Sequence, residues 1–170
     1  MGIKLCTLAY VRSEGRTLML KRPITGHHQA GKYNGLGGKF EPGESPEECL
    51  RREVLEESGL VVESADLKGF ITFPDFDGAD DWYVFVYVVT RFSGEVASGP
   101  EGELEWVDDD VLADLPLWEG DRHFLPWLSQ AGIFSATFRY EGGRFVSYEV
   151  VRYGAARVGG SSQVTTGSAG

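Results

Sequence analysis

The stretch Gly38 to Leu60, GKFEPGESPEECLRREVLEESGL, leaves its backbone few choices. A glycine-rich run, Gly35-Leu36-Gly37-Gly38-Lys39, leads into it. A turn follows at Glu41-Pro42-Gly43, where proline presets one dihedral and glycine accepts the next. Ser45-Pro46-Glu47-Glu48 then reads as a helix start. Ser45 can cap the first turn, Pro46 suits the first helical position, and Glu48 can close a capping box. Gly59 supplies a left-handed residue that ends the helix. The spacing predicts a glycine loop feeding directly into one helix.

On that helix Glu53, Glu56 and Glu57 stand at i, i+3 and i+4, so all three carboxylates share one face. Like charges so placed repel by a few tenths of a kcal/mol per pair, and by more if partly buried. Two readings are open from spacing alone. One is a solvated acidic face. The other is a bound divalent cation, which takes carboxylate oxygens, keeps several waters and bridges to phosphates. The cation reading also accounts for the glycine loop placed immediately before the helix.

The order of residues adds to the spacing. From Gly38, five residues lead to Glu44 and seven more to Arg52-Glu53-Val54, followed by Leu55, Glu56-Glu57, Ser58, Gly59 and Leu60. This resembles the Nudix box, glycine-x5-Glu-x7-Arg-Glu-aliphatic-x-Glu-Glu-x-Gly-aliphatic, with every specified position filled. The resemblance implies an α/β/α sandwich with a mixed central sheet, and a substrate in which a pyrophosphate linkage joins some organic group.

Composition narrows the partners. The chain has 170 residues and a formal charge of -10. That length suits one domain. An acidic balance argues against polymeric nucleic acid, whose backbone wants a basic face, but not against a nucleotide handled by Mg²⁺ and a few local cations. No apolar run approaches the roughly 20 residues needed to span a bilayer. The N-terminal MGIKLCTLAYV has too little cationic lead-in for a signal peptide and reads as a strand. Cys6 and Cys49 read as buried free thiols in a reducing compartment. A cytoplasmic monomer with a small-molecule nucleotide substrate is expected.

Taken in order, Ile3–Val11 and Thr17–Arg22 read as a hairpin turning at Ser13-Glu14-Gly15. Residues 23–32 read as a loop, with His27 and His28 as surface residues rather than a metal pair. After the helix, Glu63–Phe73 and Trp82–Phe92 read as strands joined by an acidic loop, Asp75–Asp81. Its spacing does not fit an EF-hand, so it reads as a solvated turn. Asp108-Asp109-Asp110 resembles a helix N-terminus, where acidic residues favour the macrodipole. A second helix is expected from Asp121 to about Gln130, covering the sheet face opposite the glutamate helix. A closing hairpin turns at Glu141-Gly142-Gly143. The expected domain is 1–153. From Gly154, Gly, Ser, Thr and Ala dominate, and residues 154–170 are expected to be a disordered tail.

The resemblance also implies site roles. Glu53, Glu56 and Glu57, with the carbonyl of Gly38, would hold Mg²⁺ or Mn²⁺. Arg52 would orient the glutamates with Glu44 as its partner. Glu101 is a candidate fourth acidic ligand or base, with Glu103 and a plain solvated loop as competing readings. Beyond the box, roughly Leu5 to Tyr153 is similar to MutT-type enzymes and their mammalian homologues, which hydrolyse oxidised purine nucleoside triphosphates. By that resemblance Asn34 would hydrogen-bond the purine edge and Trp118 would stack on or wall the base. Asp121 matches the second of two acidic residues that read the purine, whereas the first falls on Gly120, a departure for which neighbouring Glu119 could substitute. Thr7, Lys21 and Phe73 match pocket-lining positions, and Lys39 could meet the phosphates. The leading expectation is a Mg²⁺-dependent 8-oxo-dGTP diphosphatase that releases the monophosphate and pyrophosphate. The alternatives are a Nudix hydrolase of ordinary nucleoside triphosphates, dinucleoside polyphosphates or nucleotide sugars, and a non-catalytic nucleotide-binding module.

Overall fold

The computed structural model describes residues 1–24, 31–154 and 164–170, so His27 and His28 lie outside the described residues. Strand β1 (Gly2–Ser13) turns through Glu14 and Gly15, both at positive φ, into β2 (Arg16–Lys21). Two successive left-handed residues match the twist of the flanking strands. The short β3 (Tyr33–Asn34) pairs with Leu20 and Lys21. Helix α1 (Pro46–Ser58) follows, with both halves of the Ser45/Glu48 capping box formed and Gly59 at φ 76°. Next come β4 (Val61–Phe73), β5 (Asp80–Ser93) and β6 (Glu103–Asp108). Helix α2 (Glu119–Phe124) precedes the closing hairpin of β7 (Ile133–Glu141) and β8 (Arg144–Tyr153).

All the strands join one mixed sheet in the order β3-β2-β1-β5-β4-β7-β8, with β6 on β2. The β1/β5 and β4/β7 pairs are parallel. Alternation along β1 shows how the sheet separates two cores. Cys6, Leu8 and Tyr10 face a cluster that includes Phe124, Trp127 and Phe138, whereas Ala9 and Val11 face Leu50 and Val54 of α1. The glutamate helix thus covers one face and the α2 segment the other, the layering of an α/β/α sandwich.

Three elements differ from the sequence reading. The helix expected from Asp121 to Gln130 starts at Glu119 and ends at Phe124, giving way to a 3₁₀ turn over Leu125–Ser129. Pro126 has no amide hydrogen to continue the helical ladder. Asp109–Asp114 is a 3₁₀ turn, tied down by a 2.6 Å hydrogen bond from the Thr17 hydroxyl to Asp109. The expected disordered tail contains a strand, β9 (Val164–Ser168), which pairs with Ser147–Val151 of β8. β8 would otherwise present an open edge, and Gly167 lies against the Tyr148 ring in space that a side chain would fill. Among the described residues no helix is long and apolar enough to cross a membrane.

Candidate active site

The glycine run before α1 lies against β1. Leu36 bridges Ala9 and Lys39 bridges Cys6. Glycine is required at two of its positions. Gly37 sits at φ 145°, where a Cβ would run into the Thr7 carbonyl, and a Cβ on Gly38 would come within 2.5 Å of the Glu53 carboxylate. This close approach brings the loop backbone onto the glutamate face of α1. The Gly37 amide donates to Glu57 Oε1 at 2.6 Å.

Arg52 organises the outer half of the same face. Its Nε and Nη2 donate to the two oxygens of Glu44 at 2.6 and 2.8 Å, a bidentate fork. Its Nη1 reaches Glu53 at 2.6 Å and Glu56 at 3.4 Å, and Nη2 also donates to the Lys39 carbonyl at 3.0 Å. The Arg52 hydrogen bonds pull the Glu44 carboxyl down to about 2. Glu53 moves the other way: partial burial raises its pKa against the pull of Arg52.

Glu57 is the most constrained of the three. It is buried, and its Oε2 has no hydrogen-bond partner. Burial pushes its pKa up to about 8; the Gly37 amide opposes that rise, and the nearby Glu101 carboxylate adds to it. Glu101 is held in turn by Arg22 at 3.3 Å. Between the two loop acids, Glu101 is therefore the one that reaches the glutamate face, whereas Glu103 stands opposite Lys21 in the β2/β6 ladder. The Gly38 carbonyl accepts from the Thr7 amide at 2.9 Å and from the Cys49 thiol at 3.7 Å, so part of its lone-pair capacity is committed to the fold. Among the described residues no three acidic, histidine or cysteine side chains close into a ligand cage, because Glu53 is turned to Arg52 and Glu57 to Gly37. A buried carboxylate oxygen without a donor is nonetheless the kind of atom that a divalent cation satisfies.

On the opposite face of the sheet lies an aromatic wall. Trp118 meets Tyr140 and Phe76 edge to face, at ring separations of 6.1 and 5.9 Å. Phe73 packs on Phe76, Phe138 and Tyr140, and Phe76 also meets Trp82. Lys32 and Tyr33 border this wall. The Tyr33 amide donates to Pro116, and the Lys32 ammonium lies 4.7 Å from the Trp118 ring centroid. The side-chain amide nitrogen of Asn34 is buried without a partner. Asp121 is buried at the start of α2, and burial pushes its carboxyl up to about 7 against the pull of Lys32 and Arg122.

The remaining candidates fall at different distances from this wall. Lys39 lies over the Trp82 ring at 5.1 Å, between the wall and the Arg52 fork. Lys21 is partly buried against the Tyr33 ring. Glu119 is exposed on the first turn of α2. Thr7 lies away from the aromatic wall: strand alternation turns it to the α1 face, where its buried hydroxyl lies 3.4 Å from Cys49 Sγ. Phe76, Trp82, Tyr140 and Lys32 were not singled out from the sequence. Phe76 carried one usable signal, a large aromatic residue within an otherwise acidic turn. Cys6 and Cys49 are buried free thiols, and the strand direction puts Cys6 on the face away from α1.

The chain resembles known proteins in sequence and in fold. The NUDIX domain model matches residues 4–128. An oxidized purine nucleoside triphosphate hydrolase of Danio rerio is 35% identical over 140 residues, covering 82% of this chain and 88% of that protein. An uncharacterized Nudix hydrolase of Bacillus subtilis is 32% identical over 139 residues, covering 79% and 85%. The crystal structure of a MutT protein from Bacillus halodurans superposes with a TM-score of 0.78 at 31% identity, covering 86% of this chain and 97% of that one. Box, sheet and glutamate face agree with these likenesses: the chain belongs to the Nudix hydrolase family.

Proposed function

We propose that this Nudix hydrolase acts on oxidised purine nucleoside triphosphates, converting 8-oxo-dGTP to 8-oxo-dGMP and pyrophosphate, as a cytoplasmic monomer that cleanses the nucleotide pool. The observation that supports this reading best is the aromatic wall with the buried Asp121 beside Tyr140, together with the unpaired, buried amide of Asn34 in β3. Buried polar groups without partners are costly, so such a group is best explained by a ligand that pairs with it. A purine ring offers a flat face to Trp118 and hydrogen-bonding edges to Asn34 and Asp121.

The glutamate face fits Mg²⁺ or Mn²⁺, since Glu57 Oε2 is buried and unpaired. Glu53, Glu56 and Glu57, with Glu101, would hold the ion. When bound, such a cation neutralises charge on phosphate oxygens and acidifies water. The chain's own residues do the rest. Arg52 fixes the direction of Glu53, and the Gly37 amide fixes that of Glu57. One of the two facing carboxylates, Glu57 or Glu101, takes the proton of the attacking water. Lys39 meets the phosphates between the two halves of the site.

The test is kcat/KM of the purified protein with Mg²⁺ on 8-oxo-dGTP, dGTP, dATP and a dinucleoside polyphosphate. Preference for 8-oxo-dGTP is expected. A preference for the dinucleoside polyphosphate would favour the broader-specificity reading, and no turnover of any of them would favour a binding module.

A further inference from the structure

Gly120 departs from the acidic residue expected at its position, and the structure shows what stands there instead. A Cβ on Gly120 would collide with the Tyr140 hydroxyl and lie 3.0 Å from the Phe138 ring. Tyr140 therefore occupies the root of the missing side chain. Its hydroxyl oxygen accepts from the Gly120 amide at 2.9 Å. A phenol can also donate, and among the described residues the Tyr140 hydroxyl makes no hydrogen bond besides the one it accepts from Gly120. The same ring forms part of the aromatic wall, edge-on to Trp118 and Phe76 at 6.1 and 5.3 Å. Burial keeps the hydroxyl in its protonated, donating form.

We infer that Tyr140 is a specificity-determining residue whose phenolic O–H replaces the absent acid at position 120 and donates to an acceptor on the purine edge, a ring carbonyl oxygen or unprotonated ring nitrogen. This rests on the purine reading proposed above. Its consequence is particular to this chain. A pair of carboxyls can exchange a proton and so present either a donor or an acceptor to the base. A phenol beside a single carboxyl, Asp121, keeps one position as a fixed donor. Recognition is then narrower: purines that present an acceptor to Tyr140 are favoured over those that present an amino group there.

The experiment compares wild type and Tyr140→Phe on 8-oxo-dGTP, 2-oxo-dATP, dGTP and dATP. The expected result is a loss of about tenfold in kcat/KM on the best substrate, the scale of one hydrogen bond. The loss is borne by KM, is smaller on purines lacking the acceptor, and leaves the thermal midpoint within a few degrees. A uniform loss on all four, or none, would show that the hydroxyl serves only to hold Gly120 and would overturn the inference. If Tyr140→Phe does not fold, the double variant Gly120→Asp/Tyr140→Phe takes its place. An acid there can exchange its proton, so discrimination between 8-oxo-dGTP and 2-oxo-dATP should narrow; unchanged discrimination refutes the inference. The wild-type panel separately tests the purine reading: wild type that ignores the base sinks that reading, whereas a variant that preserves a wild-type preference sinks the role of Tyr140.

Discussion

The two halves of the site are built in opposite ways. Apart from Glu101, the glutamate half comes from one continuous segment: loop, turn, cap, helix and C-terminal glycine follow one another between Gly35 and Gly59, and the contacts within it link residues less than about two dozen positions apart. The aromatic half gathers Phe73, Phe76, Trp82, Trp118, Asp121 and Tyr140 from strands, turns and a short helix that meet only when the sheet closes. The first half is polar and held by charge-assisted hydrogen bonds. The second is apolar and holds one buried carboxyl. Local chemistry thus fixes which bond can be cut, and long-range packing fixes what is attached to it.

Breaking the first half should cost most. Glu57→Gln keeps the shape but removes a carboxylate whose second oxygen is open, so kcat should fall by roughly a thousandfold or more with the fold intact by circular dichroism. Near-full activity would remove Glu57 from the site. Arg52→Lys is a subtler break. Lysine cannot reproduce the fork on Glu44 while also holding Glu53. A loss of about 10- to 100-fold is expected, with a higher Mg²⁺ concentration needed for half-maximal rate. An unchanged metal requirement would reduce Arg52 to a surface ion pair.

These effects track what the sequence made legible. The helix, its caps and the glutamate face all appear in the residue order because each depends on neighbours along the chain. The strand pattern was likewise readable from alternation, as in β1. The face that Thr7 occupies was not legible, because a resemblance gives a position in the chain but not a side-chain direction, and a one-residue phase decides which face of a strand a group occupies. β9 was missed because a Gly, Ser and Thr tail has little to bury, and its pairing depends on the open edge of β8. Tyr140 carried no local mark and Phe76 only its place in an acidic turn, since what matters about them is their contact with Gly120 and Trp118.

The smallest expected effect sharpens the second half. Asp121 holds its proton to about 7 in the folded protein, well above an exposed aspartate. The folded state therefore binds more protons than the unfolded chain between roughly pH 4 and 7, and stability falls as pH rises through that window. Asp121→Asn should match wild type in denaturant midpoint near pH 4 and exceed it near pH 8. Parallel profiles would mean that Asp121 is ionised throughout and that burial does not govern it.

The separation of the two halves is tested most directly by the ratio of kcat/KM on 8-oxo-dGTP to that on dGTP, measured in wild type and in Asn34→Ala at saturating Mg²⁺. The ratio should be well above tenfold in wild type and collapse toward one in the variant, while kcat on dGTP and the Mg²⁺ requirement stay near wild type. A wild-type ratio of one, or a variant that keeps the ratio but loses its response to Mg²⁺, would contradict the account.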